Sequence, residues 1–285
     1  MLSSERTRLM TDQKTDQADT GAFRYAEMTW PEIRDAAAAD RVVVVPIGTL
    51  EDHGRHLPID TDVRIIDAIC EQACEAEAKT SLLLPPVWHG YSPHHMDFPG
   101  PITIRYDIFV EYLLGITRSL AAHGFRRIIL ANGHGSNAPL VDMAARLTII
   151  EHADVICCSY FYLTTPAGLK AIESIRESPF PGGIGHACEL ETSIYLALRP
   201  GLVQMDKAVR DLSQRPSEHF YQDWVSGPVG MMEWWSTLTQ DGVMGDATLA
   251  RREKGEILLD AAVDELRQVI GAMRDREIRP RVDHH

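Results

Sequence analysis

Apolar runs alternate with amphipathic stretches along most of the chain. Val42-Val43-Val44-Val45-Pro46-Ile47 is mostly β-branched and too short for a typical helix, which predicts a buried strand of a parallel sheet. Val63 to Ala78 carries Ile65, Ile66, Ala68, Ile69 and Ala73 at helical spacing, predicting a crossover helix. The same alternation continues with strands at Ser81 to Pro85, Arg127 to Ala131 and Asp154 to Phe161. Helices are predicted at Ile108 to His123, with Gly124 as C-cap, at Ala138 to Glu151 and at Ala167 to Glu177. A further helical stretch runs through Leu198, and a long terminal helix is expected over Ala247 to Met273. Tyr25 to Ala39 reads as a short helix packed by Met28, Trp30 and Ile33. Val87 to Ile104 and Gln204 to Asp246 fit neither period. This order predicts an α/β fold: one domain over residues 25–278, with a mainly parallel sheet and helices on both faces. A polar, loosely attached tail over residues 1–24 precedes it, and residues 279–285 form a second tail.

Composition narrows the partners. A net charge of -13 lacks the basic face that nucleic acid requires. No run approaches the roughly 18 apolar residues of a membrane span, and Met1 to Arg24 has no apolar signal core, so a cytoplasmic location is expected. The five cysteines include Cys157-Cys158 inside an apolar run, while Cys70 and Cys74 share a helix face. Both pairs read as reduced core residues.

The chemistry concentrates just past the valine run. GTLEDHGRHLPIDTD, Gly48 to Asp62, packs Glu51, Asp52, His53, His56, Asp60 and Asp62 together at a predicted strand's carboxyl end, where open α/β sheets place their ligand sites. In an extended segment Glu51 and His53 point the same way, and carboxylate with imidazole suits Zn, Mn or Fe. Asp62 also has the place of an N-cap for the helix at Val63. Three more groups follow: His94-His95 in an irregular loop, His134 in the turn Asn132-Gly133-His134-Gly135-Ser136-Asn137, and His186, Glu189 and Glu191 in GHACELETS. One crevice could gather all four.

Together GTLEDHGRHLPIDTD, ANGHGSN and GHACELETS resemble, in order and spacing, the three signature blocks of the creatininase (creatinine amidohydrolase) family. FPGPITI and GDATLARREKG resemble further family segments, so the likeness runs from Tyr25 onward. The resemblance implies a three-layer α/β/α sandwich, a homohexamer and a site for two divalent ions. By position it implies Glu51, Asp62 and His134 as ligands of one ion, with His53 and again Asp62 on the other. The family pattern places a glutamate where Ser136 stands here, which argues against creatinine itself as substrate. The missing carboxylate then falls to Glu191, with Glu189 as the neighbouring alternative. His186 matches a catalytic or substrate-orienting histidine, and Glu189 is the spare base beside it.

The resemblance thus implies a hydrolase in which activated water attacks a carbonyl. The bond cut would be C–N in a small cyclic amide or formamide, or C–C in an oxidised inositol ring. Only Arg55 and Arg105 lie near the motifs, too few for a phosphorylated nucleotide. His94, His95 and Tyr91 of the irregular loop, with Trp234, are expected to line a site for a small polar ring. A closed four-ligand site would instead make a non-catalytic, metal-stabilised binding protein. Five or more carboxylate-rich candidates with bases to spare read as an open site.

Overall fold

The computed structural model describes residues 21–285. In chain order, α1 (Trp30–Ala38), β1 (Val42–Ile47), α2 (Thr61–Ala76), β2 (Ser81–Leu83), α3 (Tyr106–Ala122), β3 (Arg127–Asn132), α4 (Ala138–Glu151), β4 (Ile156–Phe161) and α5 (Pro166–Ile175) form the first part. Then come β5 (Ile184–His186), α6 (Glu189–Leu198), β6 (Arg210–Asp211), α7 (Trp235–Leu238), β7 (Met244–Asp246) and α8 (Arg252–Asp275).

The first four strands make one parallel sheet in the order β2-β1-β3-β4. Alternation along β1 splits its valines between two cores. Val42 and Val44 join Ile129 and Ala131 against α2, α5, α6 and α8. Val43 and Val45 join Ile128 and Leu130 against α1, α3 and α4. The result is a three-layer α/β/α sandwich. Because β2 and β3 flank β1 on opposite sides, strand order reverses at β1, and a crevice opens above the carboxyl ends of β1 and β3. Among the described residues no helix is long and apolar enough to cross a membrane.

Four local readings change. Phe23 and Arg24, which polarity assigned to the first tail, pack on the sheet: Phe23 is buried, and its carbonyl accepts the Leu83 amide at 2.7 Å. Residues 1–20 of that tail lie outside the described residues. Pro179 to Gly185, whose prolines and glycines read as a loop, yields β5, which joins β7 and β6 in a small antiparallel sheet. The terminal helix starts at Arg252 rather than Ala247, because the Asp246 carboxylate accepts the Thr248 amide at 3.1 Å and closes a separate 3-10 turn. Finally, Asp60 rather than Asp62 is the residue before α2. Asp62 sits in the first turn, leaving its carboxylate free to point into the crevice.

Candidate metal centre

Glu51 and His53 follow β1, Asp62 opens α2, His134 follows β3, and Glu191 lies in the first turn of α6. All five side chains are buried. Asn132 clamps the turn after β3, its amide donating to the His134 carbonyl at 2.7 Å. Asn137 joins that turn to the neighbouring loops, accepting the Tyr91 amide at 2.8 Å and donating to the Gly48 carbonyl at 3.2 Å.

Two groups of ligand-type atoms result. His134 Nε2 donates to the Tyr91 carbonyl at 3.2 Å, which turns Nδ1 inward, 3.1 Å from Glu51 Oε1 and 3.1 Å from Asp62 Oδ2. His53 Nε2 lies 3.2 Å from Asp62 Oδ1 and 3.8 Å from Glu191 Oε1. Asp62 therefore offers one oxygen to each group. Atoms bound at about 2.1 Å around one tetrahedral ion stand about 3.4 Å apart, so these imidazole–carboxylate pairs have the spacing of neighbouring ligands on a divalent ion. Glu51, His53 and Asp62, Glu51, His95 and His186, and His53, His186 and Glu191 each bring three ligand-type atoms within 4.8 Å of one another. Buried His53 Nε2 and Asp62 Oδ2 approach their partners without the alignment of a good hydrogen bond, as atoms turned toward a cation would.

The electrostatics agree with this. Burial alone would favour neutral imidazoles, yet Asp62 and Glu191 hold His53 well above its ordinary value. Against the same burial, Glu51 and Asp62 raise His134 to about 10. Burial opposes ionisation of Glu51, but His134 and His95 outweigh it and hold the carboxyl well below its usual range. The site is thus strongly negative and draws protons onto imidazoles, the positive charge that a divalent ion would supply.

The remaining candidates divide. His186 lines the crevice: its Nε2 donates to the Asp52 carbonyl at 2.7 Å, and its Nδ1 faces Glu51 Oε1 at 3.6 Å. Burial, with His53 and His95 nearby, pushes His186 down toward the neutral form. His94 and His95 also line the cavity. His94 Nε2 lies 3.0 Å from Ser136 Oγ, and burial lowers His94 to about 3. Ser136 contributes a hydroxyl to the wall, while the Glu191 carboxylate reaches the cluster.

Three assignments need correction. Glu189 is fully buried but turned away: its carboxylate accepts the Glu177 and Ser178 amides, each at 3.0 Å, and pairs with Lys254. At the start of α6, residues 189 and 191 point in different directions, so only one can face the crevice. Tyr91 packs its ring against the core and reaches the site only through its main chain, the carbonyl facing His134 Nε2 and the amide donating to Asn137. Trp234 is 54% exposed, whereas its neighbour Trp235 is 5% exposed and stacks on His95, ring centroids 4.6 Å apart. The Trp-Trp pair carried no periodicity to tell them apart. Asp52, which the sequence places in the polar cluster without a role, contacts both His95 and His186.

The cavity above the cluster has a volume of about 210 Å³. Its lining contains no Lys or Arg among the described residues. Arg55 instead pairs with Asp241, and Arg105 with Asp107.

Known proteins give the following likenesses. The family model described as "Creatininase: Creatinine amidohydrolase" matches residues 26–270. The creatinine amidohydrolase of Pseudomonas putida is 31% identical over 261 residues, covering 86% of this chain and 94% of that protein. The 3-dehydro-scyllo-inosose hydrolase of Thermotoga maritima is 27% identical over 275 residues, covering 90% of this chain and 85% of the relative. A crystal structure of creatinine amidohydrolase superposes with a TM-score of 0.74 at 29% identity, covering 89% of this chain and 98% of the other. Solved creatininases of the same fold include a Zn-Zn form and a Mn form, each 28% identical, with TM-scores of 0.74 and 0.75.

Proposed function

Because the chain belongs to the creatininase family, we propose that it is a metal-dependent hydrolase that opens a small, uncharged cyclic amide or cleaves a related C–N amide bond. The observation that carries this reading is the convergence of Glu51, Asp62, His134, His53 and Glu191 at the floor of a cavity of about 210 Å³. That volume lies below the roughly 300–1,000 Å³ of pockets for drug-sized ligands and suits one small ring. A wall without Lys or Arg disfavours phosphorylated or carboxylated substrates.

Glu51, Asp62 and His134 would hold one divalent ion, and His53, Asp62 and Glu191 a second, as Zn, Mn or Fe. Such ions, when bound, acidify water and polarise a carbonyl. His186 supplies the proton acceptor: with Nε2 committed to the Asp52 carbonyl, Nδ1 is free to take a proton from the attacking water. His94, Ser136 and Trp235 form the wall on which the ring is oriented. Spare imidazoles beside the ligand set weigh against a closed, non-catalytic site. The family resemblance also carries a homohexamer, which light scattering of the purified chain tests.

A second reading, opening of an oxidised inositol ring by C–C cleavage, is favoured by Ser136 and Gln222, neutral hydrogen-bonding groups suited to a hydroxylated ring. It is also favoured by the likeness to the inosose hydrolase. The test is a hydrolysis screen of protein loaded with Zn or Mn, on cyclic amides, formamides and inositol-derived diketones, read by mass spectrometry as gain of one water. Turnover of an amide supports the first reading. Turnover of diketones alone replaces it with the second, and inertness toward both panels refutes the two together.

A further inference from the structure

Asp52 lies between two ligand-type residues and touches two imidazoles in different ways. Its main-chain carbonyl accepts from His186 Nε2 at 2.7 Å, while its side-chain Oδ1 accepts from His95 Nδ1 at 2.6 Å. The carboxylate is buried, and Gly242 packs so closely on Oδ2 that no side chain fits at that position. His95 is fixed on its other side by the stacked ring of Trp235. With Nδ1 committed to Asp52, His95 Nε2 faces the cavity, 3.6 Å from Glu51 Oε2. The two rings lie 4.8 Å apart and differ in what stands behind them. A main-chain carbonyl backs His186, and the Asp52 carboxylate backs His95, fixing which nitrogen of each ring faces the cavity.

We propose that His95 is the catalytic residue that gives the departing nitrogen its proton, and that Asp52 is its positioning residue. The inference rests on the amide reading above and deepens it by dividing the two proton transfers between two imidazoles. As the water oxygen bonds to the carbonyl carbon, one water proton passes to His186 Nδ1. The C–N bond then breaks with its electron pair on nitrogen, and the proton on His95 Nε2 goes to that nitrogen. Return of the His186 proton to His95 through solvent restores both rings, so the net reaction consumes one water.

The test compares the metal-loaded wild type with H95Q and D52N, the latter keeping the main-chain carbonyl that orients His186. Bound metal is counted by elemental mass spectrometry. Turnover is measured on the amide that the wild type opens and on a nitrophenyl ester of the same acid, whose leaving group needs no proton. The expected result is unchanged metal content and a kcat on the amide lowered about 100-fold or more in H95Q. D52N should shift in the same direction. KM should move by less than about threefold, and the loss on the ester should be at least about tenfold smaller than on the amide. Loss of metal would make His95 a ligand, and equal losses on both substrates would make it structural; either overturns the proposal, as does an undiminished kcat. A wild type inert toward every amide refutes the amide reading itself, a result distinct from any difference among variants.

Discussion

Replacing Glu189 with Gln separates the catalytic role suggested by its place in the GHACELETS block from the structural role it has in the fold. The buried carboxylate accepts two amides between α5 and β5, one from buried Ser178 and one from exposed Glu177, and pairs with buried Lys254 of α8. A glutamine keeps one acceptor, but its amide group then opposes either the Ser178 N–H or the Lys254 ammonium. Breaking a buried pair by changing one partner costs about 3–5 kcal/mol. Lys254 keeps Glu177 at 2.7 Å and the Leu249 carbonyl at 2.9 Å, which places the expected loss nearer about 2–4 kcal/mol. For a domain of this size that lowers Tm by about 5–12 °C. The loss also depends on pH. Burial opposes ionisation of Glu189, but Lys254 and the Ser178 contacts outweigh it, so its folded value is lowered. A lowered carboxyl contributes stability above its unfolded value of about 4.3, and that contribution fades as pH falls through the folded value. Calorimetry of wild type and E189Q from pH 7 to pH 3 should therefore show a Tm gap that narrows below about pH 4, with metal content and turnover retained at pH 7. An unchanged Tm combined with lost turnover would return Glu189 to the catalytic set.

Three further outcomes are expected. Asp62→Asn removes the carboxylate shared by both ligand groups, so affinity for Zn or Mn should fall by at least about 100-fold, while circular dichroism of the metal-free chain stays unchanged. Gly255→Ala drives a methyl group into the Ser193 carbonyl where α8 crosses α6; a loss above about 4 kcal/mol, seen as an insoluble or unfolded product, is expected. Arg176 grips Asp223 through two contacts of 2.9 and 2.7 Å, and Asp223 lines the cavity and accepts the Gly182 amide. Arg176→Met should loosen that wall, raising KM more than it lowers kcat and exposing residues 212–234 to limited proteolysis.

The central sheet was legible because β1 and β3 are buried on both faces and carry unbroken apolar runs. The crevice was legible for the same reason, since its ligand-type residues follow those strands directly. What escaped has short-range causes. β5, β6 and β7 span two or three residues each, too few to show a period of two. Asp246 closes a tight turn that the apolar pattern of Ala247 to Met273 conceals. Glu189 against Glu191, and Trp234 against Trp235, are decisions between close neighbours, made by Lys254 and by the His95 ring. Both of those partners are remote in sequence.

The origin of the ligands along the chain also bears on how the protein is made. Glu51, Asp62 and His134 all leave the ribosome before α6 and α8, from the loop after β1, the first turn of α2 and the turn after β3. Glu191 comes from α6, whose seat against α8 includes the close crossing at Gly255. Under the two-ion reading proposed above, the order of synthesis would be the order in which the two ligand groups become complete. A nascent chain would gather the first group from early elements, and the second would wait for the final helix to dock. Truncation within α8 would then strand a half-built centre.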